Sequence, residues 1–161
     1  LWNLIDNMAI SDRPDFLRGD CGFGTDGVMT EAEKRNLPYL FKLKQSKNVK
    51  HLISQTMYNG NWTDAGQGWE GQESQLQLMG WVKHRRVIVL RRKILSKDVI
   101  AINNSSSKPG LKQLEFQFGT IGDKKYVYEY AVLVTSLMDE IITVAQHYRD
   151  RADCENVFLT L

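Results

Sequence analysis

Three side chains near the end of the sequence have the types and the spacing to act together on a phosphate group. Tyr148, Arg151 and Glu155 lie in a run, residues 139–161, that contains no Gly or Pro, which favours an α-helix. In a helix, positions i, i+3 and i+7 fall on one stripe, so a phenol, a guanidinium and a carboxylate would share a face. The simpler interpretation is an exposed helix with an Arg151–Glu155 ion pair of about 0.3–0.5 kcal/mol.

A second carboxylate ends a short β-pattern far upstream. Residues 16–20, Phe-Leu-Arg-Gly-Asp, predict a strand ending in Asp20, and the glycines that follow favour a tight turn. The Arg-Gly-Asp-Cys-Gly-Phe stretch at 18–23 resembles the second-aspartate region of bacterial insertion-sequence transposases of the DDE type. The helix is similar to their Tyr-x2-Arg-x3-Glu-x6-Lys signature, with Tyr148, Arg151 and Glu155 at its spacing; the signature lysine would fall just beyond Leu161.

The resemblance implies an α/β fold, part of a ribonuclease-H-like core with a β-rich insertion. It also implies metal-dependent cleavage and transfer of DNA strands, with Asp20 and Glu155 as catalytic ligands of Mg²⁺, or of Mn²⁺ as an alternative. Such chemistry suits hard carboxylate ligands, because two ions about 4 Å apart stabilise the attacking and leaving oxygens. Tyr148 and Arg151 would contact the DNA end, since both donate hydrogen bonds to phosphate.

Further DNA-binding candidates come from two basic clusters that flank the apolar residues 87–90. The four arginines of these clusters are Arg85, Arg86, Arg91 and Arg92. Basic residues at both ends of a strand suit contacts with a phosphate backbone, although a charged edge strand that discourages aggregation is an equal alternative. A second basic run has the same two interpretations and comprises Lys42, Lys44, Lys47 and Lys50. For the tryptophans at 62, 69 and 81, core packing is favoured over stacking on an unpaired base.

The order of predicted elements divides the chain into three parts. Residues 1–58 are predicted to be the first part of the core, with a helix, the strand that leads to Asp20, a helix over 25–36, a strand near 38–44 and a helix over 46–58. Residues 59–125, which begin in a Gly-rich stretch, are predicted to be the β-rich insertion, with strands over 75–82, 87–92, 99–102 and 114–118. Residues 126–161 complete the core with a strand and the final helix.

Composition limits the alternatives. The 161 residues are 42% hydrophobic, enough for a core, and 21 basic residues against 19 acidic ones give no net-charge argument for nucleic acid. No apolar run reaches the roughly 18 residues that span a bilayer, so we expect a soluble, cytoplasmic protein without a membrane partner. Cys21 and Cys154 are expected to be packed, reduced thiols, because no metal-ligand spacing joins them to a histidine.

A DDE site has three acids, and the first is expected on a strand before residue 1. The sequence is therefore interpreted as an internal fragment of a transposase, inactive by itself. Its expected partner is double-stranded DNA, both the terminal repeats and the target, with a homodimer as one assembly of the parent. Three alternatives stay open: a nuclease of the same fold, a non-catalytic DNA-binding module, and a glycosidase that uses Asp20 with Glu155.

Overall fold

One mixed β-sheet with helices on both faces forms the computed structural model, which describes residues 1–95, 119–121 and 124–159. The helices are α1 (Trp2–Asn7), α2 (Asp26–Lys34), α3 (Lys47–Met57) and α4 (Ile141–Leu159), with a 3-10 turn at Ile10–Asp12. The strands are β1 (Leu17–Gly19), β2 (Tyr39–Lys42), β3 (Thr63–Gly66), β4 (Trp69–Leu76), β5 (Arg85–Leu95), β6 (Gly119–Ile121) and β7 (Lys124–Thr135). The predicted α/β class is confirmed.

The order of the strands is β1-β2-β7-β5-β4-β3, and β6 also pairs with β7. Only β1 and β2 are parallel in this described sheet, with Gly19 opposite Phe41, and α2 connects them. All other pairs are antiparallel. The strands that follow the Gly-rich stretch therefore continue the sheet that begins with β1 and β2. The division at residues 58 and 125 stays a prediction about sequence order.

Alternating side chains build a core on each face of the sheet. One face meets α2 and α3 and buries Tyr39, Phe41, Val87, Val89, Val132 and Val134. The other face meets α4 and buries Leu40, Ile88, Leu90, Ala131 and Leu133 together with Val144 and Ala145 of the helix. A strand with both faces buried is uniformly apolar, which explains why β5 and β7 are Val- and Leu-rich in their central parts.

The sequence predictions place most helices correctly and several strands imprecisely. Helix α2 begins after Thr25, whose Oγ1 accepts from the Val28 amide at 3.5 Å. The strand predicted over 75–82 is wrong in position, because β4 ends at Leu76 and a turn follows. The Gly-rich stretch contains β3 and a hairpin in which Gly66 and Gly68 have φ of +80° and +77°. The strands predicted over 99–102 and 114–118 lie outside the described residues.

The basic clusters around residues 87–90 belong to one strand. Strand β5 extends over both clusters and lies between β4 and β7, so the alternative of a charged edge strand is wrong. Core packing of the tryptophans is confirmed, because Trp81 is buried and Trp62 and Trp69 pack against the two cores. Among the described residues, no helix is long and apolar enough to cross a membrane.

Candidate active site

Asp20 follows β1 and opens the turn that leads into α2. Its backbone carbonyl accepts a hydrogen bond from the Phe23 amide at 2.9 Å, and its Oδ1 accepts one from the Cys21 amide at 2.7 Å. The turn is tight because the Phe23 ring folds back over Gly19, where an added Cβ would lie 2.8 Å from the ring. The backbone of this turn therefore fixes Asp20, and the residue stays exposed.

The strand that leads to Asp20 contacts the final helix directly. Arg18 Nη1 donates to the backbone carbonyl of His147 at 2.5 Å, and the Phe16 and His147 rings have centroids 5.3 Å apart. Arg18 therefore lies on the α4 side of the sheet, and Asp20 comes directly after this strand. The structure thus brings together the two stretches that carry the predicted acids.

The face of α4 that meets the sheet is the one that carries the predicted stripe. Val144 and Ala145 are buried, and Tyr148 packs against the same apolar cluster. Position 155 is seven residues after Tyr148, so the helical repeat returns it to this face. The predicted helix is confirmed over these positions. The side chains of Arg151 and Glu155 lie outside the described part of the chain.

Helix α4 follows β7 after residues 136–140 and packs on the sheet face that carries Arg18. Its residues Ile141, Ile142 and Arg149 also approach the glycines of β3 and β4. Position 155 is eight residues, about 12 Å, further along the helix than His147.

Lys42 lies beside Asp20, although no sequence pattern distinguishes it from the other lysines of its run. The parallel pairing of Gly19 with Phe41 makes Asp20 and Lys42 the next neighbours. Burial and the Asp20 carboxylate raise the pKa of the Cys21 thiol, while the Lys42 ammonium acts in the opposite direction, which shows that these charges are close. Only the register of β1 with β2 shows that Lys42 is the lysine next to Asp20, and the sequence does not contain this register.

Arg85, predicted to bind DNA, is used inside the protein instead. Its side chain is 2% exposed and pairs with Asp26 at 2.8 Å and with Glu33 at 2.9 Å. Its Nη2 also donates to the Thr30 hydroxyl at 3.1 Å, and its guanidinium lies 5.4 Å from the centre of the Trp81 ring. This guanidinium joins β5 to α2 and is not presented to solvent.

Arg86 holds the loop that leads into α4. Its Nη1 donates to the carbonyl of Leu137 at 2.6 Å, and its Nη2 donates to the carbonyl of Asp139 at 2.9 Å and to Glu73 at 2.6 Å. The side chain is 13% exposed. Arg86 therefore positions the helix that carries Tyr148, and both of its terminal nitrogens are engaged within the protein.

The two remaining arginines are also paired within the sheet. Arg91 Nε donates to Glu70 at 2.7 Å, and its guanidinium lies 3.9 Å from the centre of the Trp62 ring. Arg92 Nε donates to Glu129 at 2.6 Å and lies over Trp69 at 4.8 Å. Of the four, Arg92 is the most exposed, at 45% of its side chain.

Within the described part of the chain, no group of three or more His, Cys, Asp or Glu side chains is arranged to hold a metal ion. Cys21 is a free thiol, but it is exposed, so the prediction that it is packed is wrong. The side chain of Cys154 lies outside the described residues. The acid near the candidate site that the structure describes is Asp20, a hard oxygen ligand in an exposed position. Its chemistry fits a divalent cation of the Mg²⁺ type.

Comparison with known proteins agrees with the sequence resemblance. The family model described as "Transposase DDE domain" matches residues 1–161. Searches of curated proteins and of solved structures give no match. The predicted resemblance to DDE transposases is confirmed at the level of the family, and the match covers every element described above. The chain belongs to the transposase DDE domain family.

Proposed function

We propose that this domain cleaves DNA at the ends of an insertion sequence and transfers the ends to a target, with Asp20 and Glu155 as two of its acidic residues. Family membership supports transposition in general, and transposases of this family generally use divalent metal ions. The observation that carries the residue assignment is the hydrogen bond from Arg18 to the His147 carbonyl. It ties the strand that leads to Asp20 to the helix that leads to Glu155.

Asp20 and Glu155 would hold the divalent ions, Mg²⁺ or Mn²⁺, together with a third acid that the family resemblance implies. When bound, such ions stabilise the charge on the oxygens that attack and leave the phosphorus. The turn after β1 contributes by fixing the Asp20 carboxylate through the Cys21 amide. Helix α4 contributes by packing one face on the sheet, so that position 155 is set by buried residues and not by a mobile loop.

Three side chains would bind the DNA backbone at this site. Lys42, beside Asp20, is suited to neutralise a phosphate next to the scissile bond. Arg151 would donate two parallel hydrogen bonds to a phosphate. Tyr148 packs its ring on the sheet, so only its hydroxyl edge would reach DNA. Arg85 is removed from the DNA-binding set because it is buried, and Arg86, Arg91 and Arg92 have internal partners.

Metal binding provides a test that does not require activity. Electron paramagnetic resonance of free Mn²⁺, titrated with the protein, measures how many ions bind and how tightly. We expect Asp20→Asn and Glu155→Gln to weaken binding by at least about tenfold, because each removes a charged ligand. Asp15→Asn is the matched control, since Asp15 is exposed and precedes the same strand.

Cleavage and strand transfer with terminal-repeat DNA, assayed in a protein that contains the complete domain, test the reaction itself. Asp20→Asn and Glu155→Gln should abolish both steps, while Asp15→Asn should leave both intact. Hydrolysis without transfer would instead favour a nuclease of the same fold. Unchanged activity in Asp20→Asn would show that the acid has only a structural role.

A further inference from the structure

The face of the sheet opposite α4 carries a row of tyrosines where β5 and β7 extend together. Tyr126, Tyr128 and Tyr130 alternate along β7 and therefore share one face. The ring centroids of neighbours are 5.5 Å and 6.1 Å apart. Tyr130 belongs to the core beneath α2 and α3, which assigns the row to that face. Tyr128 packs against the edge of this core and Tyr126 follows it outward along the strand; both are half-buried.

Cationic side chains from β5 alternate with these rings. Arg91 is opposite Tyr130 and Lys93 is opposite Tyr128. The Arg91 guanidinium lies 4.5 Å from the centre of the Tyr128 ring, and the Lys93 ammonium lies 5.1 Å from the centre of the Tyr126 ring. Glu70 compensates the charge of Arg91. Lys93 is exposed, and it makes no ion pair with any residue in the described ranges.

Two more lysines lie at the inner end of the row. The segment before α3 runs beside β7, where the Leu43 amide donates to the carbonyl of Val132 and Gln45 Nε2 donates to that of Tyr130, both at 2.8 Å. Lys44 and Lys47 flank Gln45 and are exposed. Among the described residues, neither has an acidic partner. Leu43 is in the core of the tyrosine face, so alternation assigns Lys44 to the opposite face, whereas Lys47 opens α3, which packs on the tyrosine face.

We propose that Tyr126, Tyr128, Lys93 and Lys47 form a binding site for single-stranded DNA. Aromatic rings stack on bases of any sequence, and lysines neutralise the phosphates between them. Paired bases in a duplex cover their own faces, so this chemistry favours an unpaired strand. Tyr126 and Tyr128 are about 7 Å apart along the strand, so each ring can take one base.

This site is separate from the candidate active site, because it lies on the face that α4 does not cover. The inference rests on the proposed function in one respect: cleavage and joining of strands leave unpaired DNA beside the domain. The lysines of this face and the row of rings would hold that strand away from the acids. Stacking itself requires neither metal nor catalysis.

Fluorescence anisotropy of a labelled oligothymidylate, titrated with the protein without metal, tests the proposal. Tyr126→Ala should weaken binding at least about fivefold, since one stacked base is lost. Tyr126→Phe should bind as the wild type does, because the ring is retained. Lys93→Ala should reduce the slope of log K against log salt by about 0.7, the value for one phosphate of a single strand.

Arg92→Ala is the matched control, because Arg92 is an exposed cation on the same strand and the opposite face. It should leave binding of the single strand unchanged. Equal losses in Arg92→Ala and Lys93→Ala, or an unchanged affinity in Tyr126→Ala, would overturn the proposal. If Tyr126→Ala and Lys93→Ala weaken binding of the single strand while the terminal-repeat duplex is still cleaved, both proposals stand. If single-strand binding is independent of the row while cleavage still needs Asp20, only the inference fails.

Discussion

The arginines of β5 and the lysines around the sheet carry the same charge and differ in almost everything else. Arg85, Arg86, Arg91 and Arg92 each donate to a carboxylate, and three of them are largely covered. Lys44, Lys47 and Lys93 are exposed. The planar guanidinium forms several fixed hydrogen bonds and is weakly hydrated, whereas the ammonium is a strongly hydrated point charge. A basic cluster therefore indicates a DNA surface only once its internal partners are known.

The sharpest test of this difference is Arg85→Met. The substitution leaves Asp26 and Glu33 without their shared cation, and we expect the free energy of unfolding to fall by about 2–3 kcal/mol, less than for a fully buried pair because both carboxylates reach solvent. Urea denaturation measures it. Arg92→Met, which removes an exposed pair on the same strand, should cost less than about 1 kcal/mol. Equal losses in the two variants would mean that burial does not distinguish these arginines.

The pH dependence of stability should report on the two carboxylates that pair with Arg85. Burial opposes the ionisation of Glu33, but hydrogen bonds from Arg85, Lys83 and Tyr39 outweigh it and lower the pKa of Glu33. Hydrogen bonds from Arg85 and from the Val82 amide lower the pKa of Asp26. A lowered folded-state pKa adds stability that is present above the ordinary values of 4.5 and 3.8 and is lost as pH falls below them.

The difference in unfolding free energy between wild type and Arg85→Met should therefore be constant near neutral pH. It should shrink as the pH falls below 4.5 and continue to shrink below 3.8. Urea titrations over this range measure it. A difference that stays constant down to strong acid would show that Arg85 stabilises by packing on Trp81 and not by pairing with carboxylates.

Arg86→Met should have a smaller effect on stability and a local effect on α4. Its bonds to the carbonyls of Leu137 and Asp139 are lost, at a cost of about 1–2 kcal/mol. Amide hydrogen exchange should increase in the loop before α4 and in the first turn of the helix. Exchange that increases equally in α2 would show that Arg86 supports the whole domain and not the loop.

Lys42→Ala should leave the unfolding free energy almost unchanged and alter DNA binding. Loss of one phosphate contact should reduce the slope of log K against log salt by about 0.9 for duplex DNA. Lys34→Ala serves as the control, since Lys34 is an exposed lysine paired with Glu31 on α2. An unchanged slope in Lys42→Ala would place the DNA away from Asp20.

The sequence predicts the parts of this fold that depend on local patterns. The helices at 46–58 and 139–161 follow from apolar spacing and from the absence of Gly and Pro, and the strand before Asp20 follows from its apolar residues and glycines. The hairpin of β3 and β4 was missed because its glycines at 66 and 68 are also typical of a loop. The turn between the paired strands is Gln67–Gly68, and both residues have left-handed φ values, +53° and +77°.

In the candidate site, too, the residues that depend on local patterns could be predicted and those that depend on distant partners could not. Spacing along one helix suffices to align Tyr148 with Glu155, and a local turn suffices for Asp20. The roles of Arg85 and Lys42 depend on partners from distant parts of the chain, since Arg85 meets α2 and Lys42 meets the strand before it. No periodicity in the sequence contains that information.

Gly71 allows the first turn of α4 to pack closely on the sheet. An added Cβ at this position would collide with the Ile141 side chain at the start of α4 and lie 3.2 Å from Leu90 Cδ2. Any larger residue there would tilt or lift the helix, and a small tilt at its first turn becomes a large displacement at position 155. A screen for loss of transposition would then identify Gly71 as essential, although it touches neither DNA nor metal.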